Sequence, residues 1–449
     1  MKIQRLIAVA TLAGLTACAS FGQTESQAPT GPVAAPLASA LAVQALTLAD
    51  AQKIAVQNHP QIQAATFVAA IASAETQAAR SAYYPQVYGS LTGAVAEHNS
   101  RIAAGGLNNP IVFDRFASGV AVGQLITDFG RTHQLVKSSD LHARAEQENV
   151  VTTRADVLLQ VTQAYFGVLK SQALLRVAQE TVNARQTVAD QIGALAKQQL
   201  RSGLDVSFAN VDLAQAQLLL IQAQSDVQAS MAQLSVALGY PELHAFQLAE
   251  EPLPVPPPAD VALLLQEAKR DRPELIRQRL EVNSGESFAT AERDLWFPTI
   301  AAVGAAGLVP VNQAEQSPPP RYAAAGFNVN IPLFNGHLFG ALHSEAENRA
   351  RVQERTLQDL ENRIARDVRT AWLNAGSAYQ RLSVTEQLLG QSRQALDLAQ
   401  ERYKLGLSSI VELSQAQLNL TQAEITEAGA KYDFQTQSIV LTYELGHLR

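Results

Sequence analysis

Asn58-His59-Pro60-Gln61-Ile62 is answered by Asp271-Arg272-Pro273-Glu274-Leu275, a shift of 273 − 60 = 213 residues. The same shift brings Tyr84-Pro85 onto Phe297-Pro298. Further on the shift becomes 372 − 165 = 207, which sets Ala164-Tyr165 on Ala371-Trp372 and then holds without a gap to the end. It pairs Leu200 with Leu407, Ser202 with Ser409, Asp205 with Glu412, Ala216 with Ala423, and Leu238-Gly239 with Leu445-Gly446. The change of 213 − 207 = 6 residues falls between residues 85 and 125. A single length change in one variable region is what a surface loop tolerates. The 449 residues therefore read as two copies of one structural unit, 46–241 and 261–449, joined by a linker at 242–260. Within that linker the proline-rich strap Glu250 to Ala259 suits neither helix nor central strand.

Each copy repeats one order of elements. A helix from Leu48 to about Ser81 leads into a β-hairpin at about 84–126. There Val87, Gly89, Leu91, Gly93 and Val95 alternate with Gln86, Tyr88, Ser90 and Thr92, and a second stretch runs Phe116 to Leu125 beyond the loop Gly105 to Pro110. The second hairpin, about 297–333, uses Thr299 to Leu308 and Ala323 to Ile331 around Pro318-Pro319-Pro320. Stretches of about ten residues with one apolar and one small or polar face suit a transmembrane strand. Each hairpin precedes a proline-free helix, about Arg131 to Gln198 and Phe339 to Leu405, of about 100 Å at 1.5 Å per residue. Second helices follow, about Val206 to Leu238 and Val411 to Leu445. Leu213, Leu220, Val227 and Leu234 recur every seven residues with Ala216, Ala223, Ser230 and Ala237 beside them; Leu418, Ile425, Tyr432 and Ile439 do so in copy two. That period predicts a coiled-coil seam. The fold class expected is mainly α with a small membrane β part.

The first residues carry an export signal, 1–17: Lys2 and Arg5, then the apolar run Leu6 to Leu15, too short to span a bilayer. Leu15-Thr16-Ala17-Cys18 resembles a bacterial lipobox, so Cys18, the sole cysteine, is expected to be lipidated, and 18–45 reads as a tether. No later stretch reads as a membrane helix. A charged fraction of 17% and net charge of −7 give no basic patch for nucleic acid. No HExxH, Walker loop or CxxC pair appears, and His337 and His343 are six apart, the wrong spacing for a shared helical metal face. No enzyme, cofactor or metal is expected.

Leu46-Thr47-Leu48-Ala49-Asp50-Ala51, the two proline pentads, the aromatic-Pro strand starts, Leu333-Phe334-Asn335-Gly336 and Arg402-Tyr403-Lys404-Leu405-Gly406-Leu407 together resemble the TolC-type outer-membrane efflux protein family over nearly all of 46–449. The resemblance implies a homotrimer in which each protomer gives four strands to a twelve-stranded barrel continued by a periplasmic α-helical barrel. It implies docking of a periplasmic adaptor, and through it an inner-membrane pump, on two hairpin tips: Leu200, Arg201, Ser202 and Gly203, and Gly406, Leu407, Ser408 and Ser409. The first tip departs from the pattern, with Gln199 where the second has Gly406. It also implies a periplasmic aperture near Asp205, Glu412 and Gln415, the last uncharged here. Both acids stand three residues after a serine, so helix capping is the competing reading. The alternative functions are a periplasmic coiled-coil adaptor and a structural envelope protein without a channel.

Overall fold

The computed structural model describes residues 45–95, 97, 115–312 and 321–448. The signal peptide, Cys18, the tether up to residue 44 and the loops at 105–110 and 318–320 lie outside the described residues. The first copy contains α1 (Leu48–Asn58), α2 (Pro60–Arg80), β1 (Gln86–Ala94), β2 (Arg115–Thr127), α3 (Arg131–Lys197) and α4 (Gly203–Ala237). The second contains α5 (Val261–Asp271), α6 (Pro273–Arg293), β3 (Thr299–Asn312), β4 (Arg321–Asn330), α7 (Leu338–Lys404) and α8 (Ile410–Glu444). The matched helices are of equal length: 11, 21, 67 and 35 residues in each copy.

The leading helix is broken where a continuous one was expected. His59 is extended (φ −70°, ψ 123°) and ends α1, and Pro60 starts α2. Arg272 (φ −64°, ψ 119°) and Pro273 do the same between α5 and α6. A proline crowds the preceding residue out of the helical region, and its missing N–H is harmless at a first helical position. The long helices pack as α3 against α4 and α7 against α8, with α3 also touching α2, α6 and α8.

Alanine lines much of the seams of the second helices, with Leu234 and Tyr432 of the expected heptads also buried. Ala209, Ala216 and Ala223 are buried at sevenfold spacing in α4, as are Ala416, Ala423 and Ala430 in α8. Leu418, expected in the seam, is exposed. Small side chains let the backbones approach closely, which leaves Leu418 on the flank. On α4 a second stripe, Leu204, Val211 and Leu218, is left uncovered. By length and composition α4 is also apolar enough to cross a membrane, which the sequence reading did not anticipate.

The four strands form one antiparallel meander, β1-β2-β3-β4. Its register sorts the side chains into two faces. Val87, Leu91, Val120, Val122, Ala302, Leu308, Phe327 and Val329 share one; Tyr88, Thr92, Gly119, Ala121, Ala305, Gly307, Tyr322 and Asn328 share the other. Pro310 stands in β3 where the register slips between Phe116 and Ser118, a bulge that spares the ladder a missing donor.

The two copies hold their central joint differently. The C-terminus of α4 abuts His59, and that of α8 abuts Arg272. In copy one the joint is uncharged: His59 Nδ1 accepts the Gln61 N–H at 3.3 Å. Burial pushes the His59 imidazole down. In copy two Arg272, buried, pairs with Glu274 at 2.8 Å and with Glu444, and lies 5.1 Å over the Tyr443 ring. Tyr443 donates to Asp156 at 2.5 Å. Burial pushes the carboxyls of Glu444 and Asp156 up. The strap is fastened beside this region. The Tyr165 hydroxyl donates to the carbonyls of Leu46 (2.9 Å) and Ala249 (2.7 Å), and Trp372 Nε1–H donates to Pro258 O at 2.7 Å.

Candidate functional site

Both helical hairpins turn at their tips with the same backbone. In copy two the α7 end closes with Gly406 N–H on Tyr403 O (3.1 Å) and Leu407 N–H on Arg402 O (2.8 Å). In copy one Gln199 N–H meets Ala196 O (2.9 Å) and Leu200 N–H meets Leu195 O (3.0 Å). Both pairs have the Schellman pattern, which needs a left-handed residue after the helix. Gly406 (φ 72°) fits it without strain; Gln199 (φ 61°) adopts it despite its side chain. The departure seen in the first tip is thus a change of residue and not of shape.

Arg201 is not a free tip residue. Its guanidinium lies 4.1 Å from the centre of the Tyr403 ring and donates to Tyr403 O at 2.7 Å. Ser414 donates to Asp212 at 2.5 Å, a second bond from one hairpin to the other. Beneath them Ala189, Ile192, Ala209, Tyr403, Ile410 and Leu413 form a small core. The sequence reading missed Tyr403 as a clamp. Its available signal was the repeat: Tyr403 stands where copy one has Ala196.

The two acids behave differently. Asp205 completes a reciprocal capping box, with its own N–H on Ser202 Oγ and its carboxylate accepting from Ser202 N–H, each at 3.2 Å. Glu412 N–H reaches Ser409 Oγ at 3.4 Å, but the Glu412 carboxylate turns to Arg402, 3.6 Å away. Gln415 is exposed and donates to Asn419 at 2.9 Å. Gly203 opens α4, and Ser409 caps α8. Ser408 Oγ is buried without a hydrogen-bond partner. Around these residues Leu200, Leu204, Leu405, Leu407 and Val411 project into solvent, so each tip is an apolar knob.

At the far end of the molecule the sheet is exposed on both faces. Its apolar face is open, with Leu91 72% and Phe327 77% exposed. On the opposite face the ring of Tyr322 covers Gly119 and Gly307, where any Cβ would collide with it. The outer edges of β1 and β4 have no partner strand among the described residues. A soluble domain does not leave a sheet this way, since open edges and apolar faces promote association. Together, an apolar-faced sheet of membrane-strand length and long helical hairpins are the parts of an outer-membrane duct.

Comparison with known proteins gives the same class. The profile of the family described as "Outer membrane efflux protein" matches residues 52–240 and 264–447. The chain belongs to that family, which is one of transport proteins. It is 22% identical over 412 residues to the outer membrane efflux protein BepC of Brucella suis, spanning 90% of this chain and 86% of BepC. It is 22% identical over 317 residues to the outer membrane protein TolC of Escherichia coli, spanning 66% of this chain and 62% of TolC. Among solved structures, CusC superposes with a TM-score of 0.77 at 19% identity over 89% of this chain and 92% of that one.

Proposed function

We propose that this protein is the outer-membrane exit duct of a tripartite efflux or type I secretion system, acting as a homotrimer. The observation that carries the reading is the four-stranded sheet, with one apolar face, one face of small and polar residues, and two edges unpaired among the described residues. In lipid every backbone polar group needs a partner, so the edges must close. Three copies supply 3 × 4 = 12 strands, with Phe327 and Val329 toward lipid and Asn328 toward the lumen. The uncovered stripe Leu204, Val211 and Leu218 on α4 would pack against the neighbouring copy. The apolar tip knobs are the docking points for the adaptor, which brings the inner-membrane pump. Cys18 adds a lipid anchor, testable by fatty-acid labelling of wild type and Cys18→Ser.

Of the two acids, Glu412 is the aperture residue and Asp205 the cap, because only Asp205 has its carboxylate occupied by the capping box. Three Glu412 carboxylates around a threefold axis make a cation-favouring constriction. The Arg201–Tyr403 clamp holds the two hairpins together at that end.

The test is conductance of the purified protein in a planar bilayer, with cross-linking to count copies. Discrete cation-selective channels from a trimer support the reading. A monomer with no conductance and no need for detergent returns it to the adaptor or structural class. Glu412→Gln should weaken cation preference while the melting temperature changes little; unchanged selectivity with a lower melting temperature would make Glu412 a cap and nothing more.

A further inference from the structure

Between α3, α7 and α8, above the tips, lies a cavity of about 600 Å³. That is the size of a small-molecule pocket, roughly 300–1,000 Å³. Arg185 lines it and is only 8% exposed. Its hydrogen bond there is a long one, Nη2–H to Thr421 Oγ1 at 3.4 Å, and it forms no ion pair among the described residues. Burial pushes its pKa down, against the pull of Asp212 and Glu424 at longer range. Tyr403 lines the same cavity, is 6% exposed, and its hydroxyl has no hydrogen-bond partner.

The buried Tyr403 hydroxyl has no acceptor, which is destabilising unless something supplies one, and the Arg185 guanidinium beside it has one long bond and no ion pair among the described residues. Ile192, Leu396, Leu413 and Leu420 form an apolar part of the wall, beside the polar side chains of Thr181, Gln191, Gln400 and Gln417. Among the lining cations Lys404 is already paired with Glu401 at 2.7 Å and Arg201 is held by Tyr403, so the guanidinium of Arg185 is the cation left to meet a ligand. Arg presents parallel N–H groups that match the two oxygens of a carboxylate.

We propose that this cavity binds a small amphipathic monocarboxylate, its carboxylate on Arg185, the Tyr403 hydroxyl donating to it, and its apolar body against Ile192, Leu396, Leu413 and Leu420. Because Tyr403 is also the clamp residue, occupancy would tie α3 to α7 and α8 and favour the joined arrangement of the hairpins. The binding claim is independent of the channel reading, since it concerns a cavity within one protomer.

The experiment is calorimetric titration of the full-length protein, held in amphipol, with 2-naphthoate and its neutral isostere 2-naphthamide. Naphthoate should bind once per protomer and at least about tenfold more tightly than the amide, as a charge-assisted pair requires. Arg185→Gln should weaken naphthoate by about tenfold or more, and Tyr403→Phe by about three- to tenfold. Glu424→Gln, which removes a competing negative charge, should tighten it by about threefold. Loss of fold cannot weaken binding in one variant and tighten it in another. Equal affinity for acid and amide, wild-type affinity in Arg185→Gln, or no saturable binding up to about 10 mM would overturn the proposal. None of these readouts involves conductance, so failure here leaves the duct reading standing, and the reverse.

Discussion

The first copy turns its corners on Phe129-Gly130 and Gln198-Gln199, the second on Gly336-His337 and Leu405-Gly406, and the backbone follows the same path. Phe129 (φ 56°), Gln199 (φ 61°) and His337 (φ 69°) are the non-glycine residues with positive φ among those described. Each has a glycine at its mate: Gly336, Gly406 and Gly130. The copies have exchanged glycine for side chain at these corners while packing kept the conformation fixed. At the central joint they diverge in chemistry. Copy one uses His59, Gln61, Val236 and Ala237 where copy two uses Arg272, Glu274, Tyr443 and Glu444. The same helix-end contact is thus made once without charge and once around a buried guanidinium. The lesson is that this unit specifies backbone geometry tightly and the means of satisfying it loosely.

Four sets of substitutions would break or sharpen that comparison. The largest effect belongs to Arg272→Met, which strands the carboxylates of Glu274 and Glu444; loss of about 3–5 kcal/mol is expected by chemical denaturation. If Arg272→Met is instead as mild as His59→Gln, the charged joint adds nothing over the uncharged one. Next come the paired strand positions Val120→Arg and Phe327→Arg, which share the apolar face. Each should cost about 2–4 kcal/mol near the bilayer midplane and block assembly, while Asn328→Arg assembles. A like response from both faces would show that the register does not separate lipid from lumen.

Smaller effects come from the corners. Gln199→Gly should stabilise the protein by about 1 kcal/mol, because the left-handed conformation is strained for a side chain, and Gly406→Gln should lose about as much. A melting temperature unmoved in both would mean that local packing, not the backbone, sets the tips. The smallest change is pH-dependent. Burial keeps the folded His59 pKa below its ordinary value, so the unfolded chain binds the proton better. The His59 contribution is therefore present above about pH 6.5 and lost as pH falls below it. His59→Gln keeps the capping acceptor, and its melting temperature should fall less than that of wild type between about pH 7 and pH 5. Copy two has arginine at the mate position and supplies no such term.

Periodicity and duplication made much of the fold legible. A shift of 213, then 207, placed the paired elements, because repetition in sequence is repetition in structure. The alternation in Phe327, Asn328 and Val329 gave the strand faces that the register shows. The site was less legible. The contact of the tip residue Arg201 with Tyr403 was not legible, and Asp205 and Glu412 read alike but are held differently. The helix expected through Pro60 ends before it, and Leu418 is outside the seam it was assigned to.

What the sequence determined by itself is local: the helix period, the strand alternation, the proline breaks and the order of elements in each copy. These follow from interactions spanning a few residues, and so are written in short stretches. What only the tertiary structure decided is which distant residues meet. Alanine lines the seams because two helices approach closely there. Tyr403 meets Arg201 across 202 positions of chain because two hairpins lie side by side. Arg185 is buried with its guanidinium nearly unpartnered because α3, α7 and α8 enclose it. No spacing in the chain encodes such a meeting; it exists only once the long helices have packed.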